Sequence, residues 1–374
     1  MTSVPVLTPQ ASSPVMSQDP PPTLSWTEKL DLVPAFLSIG WAASRALIEW
    51  PLRPGSRADT YYHHFVHAVV RQFSQRMSLT QAQWVDPSFI SAYQKWCAKH
   101  NIRTNIAIIS QYTKGYWLGD PQADYVMVYF HGGGFAFGGN DGHLLFWDAI
   151  IERLASRKVS LGVLFVAYPL MPQAVYPRQF QEAVNSIRYV LEDVKRPPGQ
   201  IMVGGDSAGG NLAVAVMLHA ARPSELALPL PRISTTEKLR ALVLLSPWVS
   251  FDVSLHSFER NRNKDYLQAE TEKRWSDMYV GSQEPSPYNE PARASPSAWE
   301  DLPVQGILVT AGSNEVLLDG IEKWVKDLQA HNSNVTYKVA DREPHEAPLT
   351  WSIFGDHRET ETQKNVLDWL KDHV

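Results

Sequence analysis

The chain has 374 residues, 44% of them hydrophobic, and a formal net charge of −5. A chain of this length can bury a large core. The negative net charge offers no basic surface for a phosphate backbone, so we expect a small-molecule partner rather than nucleic acid. The single cysteine, Cys97, excludes an internal disulfide and leaves no second thiol to share a metal. We therefore expect a reducing compartment, the cytoplasm, and an inert core thiol.

Two features distinguish the N-terminal part of the chain. Residues 1–23 are rich in Pro, Ser, Thr and Gln and are predicted to be a disordered tail. The apolar stretch 32–50 has an uncharged run, Leu32 to Ser44, that is shorter than the roughly 20 residues needed to span a bilayer. Two alternatives stay open for it: an amphipathic helix that covers an active site, or one that contacts a membrane surface.

Beyond the tail, residues 24–100 look helical and hold many aromatic side chains, which predicts a helical N-terminal cap region. Residues 101–374 then alternate short apolar runs with helix-spaced segments such as Phe180 to Val194. This pattern predicts an α/β fold, with a mostly parallel central sheet covered by helices on both faces. The predicted strands are 125–130, 163–168, 201–205, 241–246, 306–311 and 335–340. Residues 250–302 are too long for an ordinary loop and are predicted to be a cap insertion over the carboxyl edge of the sheet.

A glycine-rich segment, "FHGGGFAFGG" from Phe130 to Gly139, follows directly on the first of these strands. Glycines let backbone N–H groups approach a ligand oxygen closely, and such donors stabilise the oxyanion of an acyl-transfer reaction. A phosphate-binding loop would need a Gly-Lys-Ser/Thr ending or a Gly-x-Gly-x-x-Gly pattern with a later acidic residue. Neither is present.

A second glycine motif, Gly205-Asp206-Ser207-Ala208-Gly209, lies between the apolar strand 201–205 and a helix of small residues. This Gly-x-Ser-x-Gly context predicts a sharp turn that exposes Ser207 as a nucleophile above the sheet. Side chains at Gly205 or Gly209 would collide with the neighbouring helix and strand. The helix N-terminus favours the negative charge that develops nearby.

Together, "HGGGF" and "GDSAGGNLA" resemble the hormone-sensitive-lipase-like branch of the α/β-hydrolase fold. The resemblance implies a carboxylic ester hydrolase, commonly for short acyl groups such as acetyl, with no metal or organic cofactor. It implies oxyanion donors at Gly133, Gly134 and Ala208, and a structural role for His131. Gly132 would make the turn of the first glycine motif, and Asp206 is part of the Gly-x-Ser-x-Gly motif. Gly138 and Gly139 are predicted only to let the glycine-rich loop bend.

The chain order of this fold places the acid and then the histidine after Ser207. His345 lies in a loop just past the strand 335–340, where a general base can reach the serine, and His256 is the second candidate. For the acid, the resemblance maps Glu315 onto a position that is usually Asp, with Asp319 as the alternative. Glu315 reaches one methylene further and can still orient an imidazole.

The predicted function is cleavage, through an acyl-enzyme, of a carboxylic ester of a bulky hydrophobic small molecule. The glutamate acid and the tryptophan-rich N-terminal region look more like fungal members that deacylate natural products, so secondary metabolism is the predicted setting. Two alternatives remain: acyl transfer, cyclisation or elimination with the same triad, and a non-catalytic small-ligand receptor, against which His345 argues. No oligomeric state is predicted.

Overall fold

The computed structural model describes residues 22–52, 58–231 and 233–374. Of the predicted disordered tail, only Pro22 and Thr23 belong to these ranges, so that prediction lies outside the described residues. The strands are β1 Ile106–Ile108, β2 Lys114–Leu118, β3 Tyr125–Phe130, β4 Leu161–Ala167, β5 Ile201–Asp206, β6 Leu239–Leu245, β7 Val304–Gly312 and β8 Val335–Ala340. Within the described ranges they form one eight-stranded sheet in the order β1-β2-β4-β3-β5-β6-β7-β8.

The sheet is parallel from β4 through β3 and β5 to β8, while β1 and β2 add an antiparallel edge. This confirms the predicted mostly parallel sheet. The six predicted strands are present with bounds shifted by at most a few residues, and β1 and β2 are additions that the sequence pattern did not predict.

Twelve α-helices accompany the strands in the described part of the chain. They are α1 Trp26–Glu49, α2 Tyr61–Arg76, α3 Leu79–Val85, α4 Phe89–Lys99, α5 Asp141–Ala155, α6 Arg178–Glu192, α7 Ser207–Ala221, α8 His256–Arg260, α9 Ala269–Val280, α10 Leu318–His331, α11 Ala347–Ile353 and α12 Glu361–His373. The predicted helix in 180–194 corresponds to α6, whose apolar positions are buried as expected.

Strand β3 shows how the core is divided between the two faces of the sheet. Its residues Val126, Val128 and Phe130 pack in a cluster with α6, α7 and α10, whereas Met127 and Tyr129 pack in a second cluster with α4, α5 and α12. Successive side chains of a strand point to opposite faces, so a continuously apolar strand needs helices on both. The structure therefore confirms the two-sided covering that the sequence pattern predicts.

The two predicted additions contact each other. Arg71 of α2 donates to the Asn263 carbonyl at 3.2 Å, and Arg274 of α9 donates to the Ser74 carbonyl at 2.5 Å. Trp275 of α9 lies against Gly134, just beyond the carboxyl end of β3. These contacts place α2 and α9 beside the glycine-rich loop. The domain boundaries themselves stay a prediction.

Helix α1 is longer than the uncharged run that the sequence analysis considered. With the short 3-10 turn that follows, it spans Trp26–Leu52, and within the described residues it alone is long and apolar enough to cross a membrane by length and composition. Its buried residues, Leu32, Ala35 and Ala46, pack on the neighbouring helices, while its opposite face is exposed.

Candidate active site

Ser207 is the first residue of α7, directly after β5, and its backbone φ is +46°. Non-glycine residues rarely adopt this conformation, so the turn is strained at the predicted nucleophile. A Cβ at Gly205 would overlap the backbone of Gly209, and a Cβ at Gly209 would overlap the Phe130 carbonyl. The glycines therefore allow the close approach of strand and helix that the turn requires.

The loop after β3 carries the three motif glycines. Gly133 and Gly134 have φ of +94° and +60°, and the Gly132 N–H donates to Asp206 Oδ2 at 2.8 Å. Among the described residues, the N–H groups of Gly133, Gly134 and Ala208 donate no hydrogen bond to another protein group. Amides without protein acceptors are what an oxyanion site requires.

His131 is held inside this loop. Its Nδ1–H donates to the Gly132 carbonyl at 2.8 Å, and its ring stacks on Tyr168 at 4.3 Å. Complete burial lowers the pKa of His131 to about 4, so the ring is neutral at pH 7. This placement agrees with the structural role that the family resemblance implies.

Asp206 links the nucleophile turn to the glycine loop. Besides the Gly132 N–H, its Oδ2 accepts from His143 Nε2 at 3.2 Å, and the residue is fully buried. Burial alone would raise the pKa of Asp206, but the attraction and hydrogen bond of His143 outweigh it and hold that pKa below the usual range. Asp206 is therefore a buried, charged carboxylate.

The predicted acid, Glu315, and the predicted base, His345, lie within hydrogen-bond distance of each other. His345 Nδ1 lies 2.9 Å from Glu315 Oε2, and both side chains are buried. Glu315 Oε1 also accepts from the Gly312 N–H at 3.0 Å, which fixes the carboxylate. Burial lowers the pKa of His345, but the hydrogen bond and charge of Glu315, with Asp265 and Glu272 nearby, raise it above the ordinary value overall.

The alternative acid, Asp319, and the alternative base, His256, have other partners. Asp319 accepts from the Ser257 N–H at 2.8 Å and from Arg260 Nη2 at 2.8 Å, and no hydrogen bond joins it to His345 in the described ranges. His256 is exposed, and its Nδ1 lies 3.2 Å from Arg260. Geometry thus favours Glu315 and His345. Ser207 Oγ and His345 Nε2 share no hydrogen bond among the described residues, so the role of each stays a prediction.

Sequence reasoning missed three acidic residues around His345. Asp265 accepts from the Val316 N–H at 2.7 Å, and burial raises its pKa to about 6. Burial, together with the charge of Asp265, raises the pKa of Glu272 to about 8. Glu346 Oε1 lies 3.7 Å from His345 Nε2. Asp265 lies in the segment "NKDYL", Asn263 to Leu267, and nothing in the local sequence pattern indicated Glu272 or Glu346.

A cavity of about 700 Å³ lies beyond the glycine loop. Aromatic rings and polar residues both line it, but neither Ser207 nor His345 does. The aromatic residues are Phe89, Tyr112, Phe137 and Tyr176, and the polar ones include Gln83, Asp86, Arg178 and Gln181. Phe137 connects this cavity to the loop, because a Cβ at Gly133 would come within 2.9 Å of Phe137. Gly139 packs against the Phe89 ring, which leaves no room for a side chain there.

Comparison with known proteins identifies the fold family. A family model described as the alpha/beta hydrolase fold matches residues 127–349. An arylacetamide deacetylase of Bos taurus is 29% identical over 161 residues, covering 41% of this chain and 37% of that protein. An acetyl-hydrolase of Streptomyces hygroscopicus is 29% identical over 194 residues, covering 52% and 58%. The matches thus span less than two thirds of these relatives.

A solved structure of an esterase from the bacterial hormone-sensitive lipase family superposes with a TM-score of 0.60, at 22% identity, over 94% of this chain and all of that one. At this identity the likeness speaks for the fold, which agrees with the sheet order and with the family match over residues 127–349. The chain therefore belongs to the alpha/beta hydrolase family, as the resemblance of its two glycine motifs predicted.

Proposed function

We propose that the chain is a serine hydrolase that cleaves carboxylic esters. The observation that carries this proposal is the buried Glu315–His345 pair, with 2.9 Å between Oε2 and Nδ1, at the same sheet edge as the strained Ser207 turn. Their chain neighbours lie close together: Glu346 follows His345, Asp206 precedes Ser207, and both carboxyl groups lie against Gly132. The names of the relatives, a deacetylase and an acetyl-hydrolase, support the same reaction class.

In the proposed reaction, Ser207 Oγ attacks the ester carbonyl carbon while its proton passes to His345 Nε2. Glu315 accepts from Nδ1–H, which leaves the Nε2 lone pair free for that proton and stabilises the imidazolium. The oxyanion accepts from the N–H groups of Gly133, Gly134 and Ala208. When the C–O bond breaks, His345 returns the proton to the leaving alkoxide. His345 then deprotonates water, which attacks the acyl carbon, and as the bond from that carbon to Ser207 Oγ breaks, His345 returns the proton to Oγ and the acid leaves.

The substrate we propose is a short acyl ester, such as an acetate, of a bulky hydrophobic alcohol. Phe137 stands between the glycine loop and the cavity lined by aromatic rings, so an apolar group that extends past Phe137 would enter a cavity of about 700 Å³. We further propose that residues 24–100 and the 250–302 insertion form the predicted cap above it. Secondary metabolism and a cytoplasmic location stay predictions, as does acyl transfer or cyclisation with the same triad.

A fluorophosphonate probe tests the reaction class. We expect stoichiometric labelling of the wild-type protein, with the modified peptide mapping to Ser207, together with turnover of p-nitrophenyl acetate that exceeds that of longer acyl chains. A non-catalytic receptor would label poorly, because it lacks a base to activate the serine. An acyltransferase would also label, but an added acceptor alcohol would take the acyl group as a new ester, so p-nitrophenol would be released faster while less free acid forms. Absence of both labelling and turnover in the folded protein would reject the proposal.

We also propose that the exposed face of α1 contacts a membrane surface. Trp26, Leu30, Val33, Leu37, Trp41 and Ile48 follow each other at helical spacing on this face, and Trp26, Leu37 and Trp41 are 80%, 70% and 69% exposed. A helix that covered the active site with this face would bury it. The opposite face of α1 packs on α2 and α3, because Arg76 of α2 forms an ion pair with Asp31 and Gln81 of α3 donates to the Glu28 carbonyl at 3.0 Å.

Phosphatidylcholine vesicles test this contact. The wild-type protein is expected to sediment with them, and the double change Leu37→Ser and Trp41→Ser to weaken partitioning by roughly tenfold or more, since each buried apolar side chain contributes about 1.5–3 kcal/mol. The matched control is Leu226→Ser with Leu228→Ser, which removes exposed apolar residues far along the chain from α1. Equal sedimentation of all three proteins, or dimerisation through α1 without vesicle binding, would contradict the proposal.

A further inference from the structure

Glu346 directly follows the proposed base, and its backbone holds it in an unusual position. Its φ is +48°, and its carbonyl accepts from the N–H groups of Leu349 and Thr350, both at 3.0 Å, as α11 begins. This left-handed turn directs the side chain inward, where it is only 10% exposed. Non-glycine residues rarely adopt such a φ, so the surroundings must stabilise the turn.

The Glu346 carboxyl lies beside that of Asp206. A Cβ at Gly132 would overlap both groups, so the two carboxyls and the Gly132 backbone meet at one point. Asp206 Oδ1 and Glu346 Oε1 are both buried. When both carboxyls are ionised, neither atom has a hydrogen-bond partner among the described residues. A proton on one carboxyl would let it donate to the other and would remove the repulsion of two adjacent charges.

The surroundings determine which carboxyl carries the proton. Asp206 Oδ2 already accepts from the Gly132 N–H and from His143, at 2.8 and 3.2 Å, which stabilises its charge. Among the described residues, Glu346 Oε2 accepts only a long hydrogen bond, 3.4 Å, from Tyr266 Oη, whose oxygen accepts in turn from Thr350 Oγ1. Burial, together with the charge of Asp206 and the hydrogen bond to it, raises the pKa of Glu346 well above its ordinary value. These contacts favour Asp206 as the ionised carboxyl and Glu346 as the protonated one.

Glu346 touches all three parts of the proposed site. Its Oε1 is 3.7 Å from His345 Nε2, Asp206 precedes Ser207, and Gly132 begins the loop of the oxyanion donors. We propose that Glu346, in its protonated form, is a positioning residue: it shares one proton with Asp206, joins the histidine loop to the nucleophile turn and the glycine loop, and lowers activity when it ionises. This inference rests on the proposed esterase function for its kinetic part only.

Ionisation would place a second negative charge at this point. That charge would favour the imidazolium over the neutral base at His345 and oppose the oxyanion at Gly133 and Gly134. Because the pKa of Glu346 is raised, the protonated form persists above the ordinary range of carboxyls, and activity is lost as the pH rises through that raised pKa. The titratable groups that act on Glu346 or its partner are Asp206, His345, Glu315, Tyr266, Tyr129, Tyr168 and His143.

The variant Glu346→Gln tests the inference, since its amide N–H can still donate to Asp206 but cannot ionise. We expect the alkaline limb of the kcat/KM profile to move up by at least about one pH unit, with neutral-pH activity reduced by less than about tenfold. Glu346→Ala removes the link, so a fall in kcat with KM little changed is expected if the variant folds. Glu343→Gln is the matched control, because the buried Glu343 carboxyl lies in the same loop but accepts from the N–H groups of Glu361 and Thr362 rather than contacting Asp206. The alkaline limb of its kcat/KM profile should match that of the wild type.

Infrared spectroscopy supplies a readout that needs no turnover. Burial raises the pKa of Glu272 to about 8, so Glu272 should give a protonated-carboxyl C=O stretch at neutral pH in every variant, and the readout is the difference spectrum of wild type minus Glu346→Gln. That spectrum should show a further protonated-carboxyl band that belongs to Glu346 and is retained in Glu343→Gln. An unshifted alkaline limb in Glu346→Gln, or a difference spectrum without the Glu346 band, would overturn the inference. An inactive wild type that still shows the band would contradict the proposed function and leave the shared proton supported.

Discussion

Replacing Ser207 by alanine is expected to lower kcat/KM for p-nitrophenyl acetate by about 10⁴- to 10⁶-fold, because no acyl-enzyme can form. Folding should change little. Alanine tolerates the φ of +46° no worse than serine, and the Ser207 side chain makes no hydrogen bond among the described residues that would be lost. Steady-state rates with the acetate ester, together with thermal unfolding of both proteins, measure the two effects separately.

The chain offers a matched control for this substitution. Ser246 follows β6 at the same sheet edge, is also buried and also has a φ of +46°, but its backbone N–H donates to the Thr310 carbonyl. Ser246→Ala therefore repeats the backbone strain without removing the proposed nucleophile, and its turnover should stay within about threefold of the wild type. If Ser207→Ala kept wild-type turnover, or if both variants lost it equally, Ser207 would not be the nucleophile.

The elements that the sequence predicted well are those with a local cause. Strands such as β3 and β4 are continuously apolar because both faces are covered, and Gly205 and Gly209 are glycines because any side chain would overlap backbone. Each of these requirements acts within a few residues, so it leaves a readable pattern. The edge strand β1 has only three residues, of which one is buried, and leaves almost no pattern.

The parts that the sequence did not predict depend on contacts between distant segments. Glu346 is adjacent to His345 in the chain, but its importance comes from Asp206, which the left-handed turn at φ +48° brings within reach. Likewise, Glu272 is one of several acids in an amphipathic helix until the fold buries it near His345. Burial converts such charges from solvated surface groups into electrostatic neighbours of the base, and only the folded chain shows which are buried.

Glu315→Gln is expected to lower kcat/KM by roughly 10³- to 10⁴-fold. Its amide nitrogen would face His345 Nδ1 across 2.9 Å and donate to it, so the imidazole would carry its proton on Nε2 and could not accept the Ser207 proton. Steady-state rates and their pH profile measure this. Because the charge of Glu315 raises the pKa of His345, its removal lowers that pKa, and the acid limb of the residual activity should move to lower pH.

Two further variants decide whether this loss belongs to Glu315 itself. Glu315→Asp keeps the charge and should retain more activity than Glu315→Gln, although its carboxylate is one methylene short of His345. Asp319→Asn is the matched control: its carboxylate binds the Ser257 N–H and Arg260 rather than His345, so turnover should stay within about threefold of the wild type. A large loss in Asp319→Asn with normal rates in Glu315→Gln would reverse the assignment, because only the group that fixes the Nδ1 proton of His345 can set the tautomer on which the base depends.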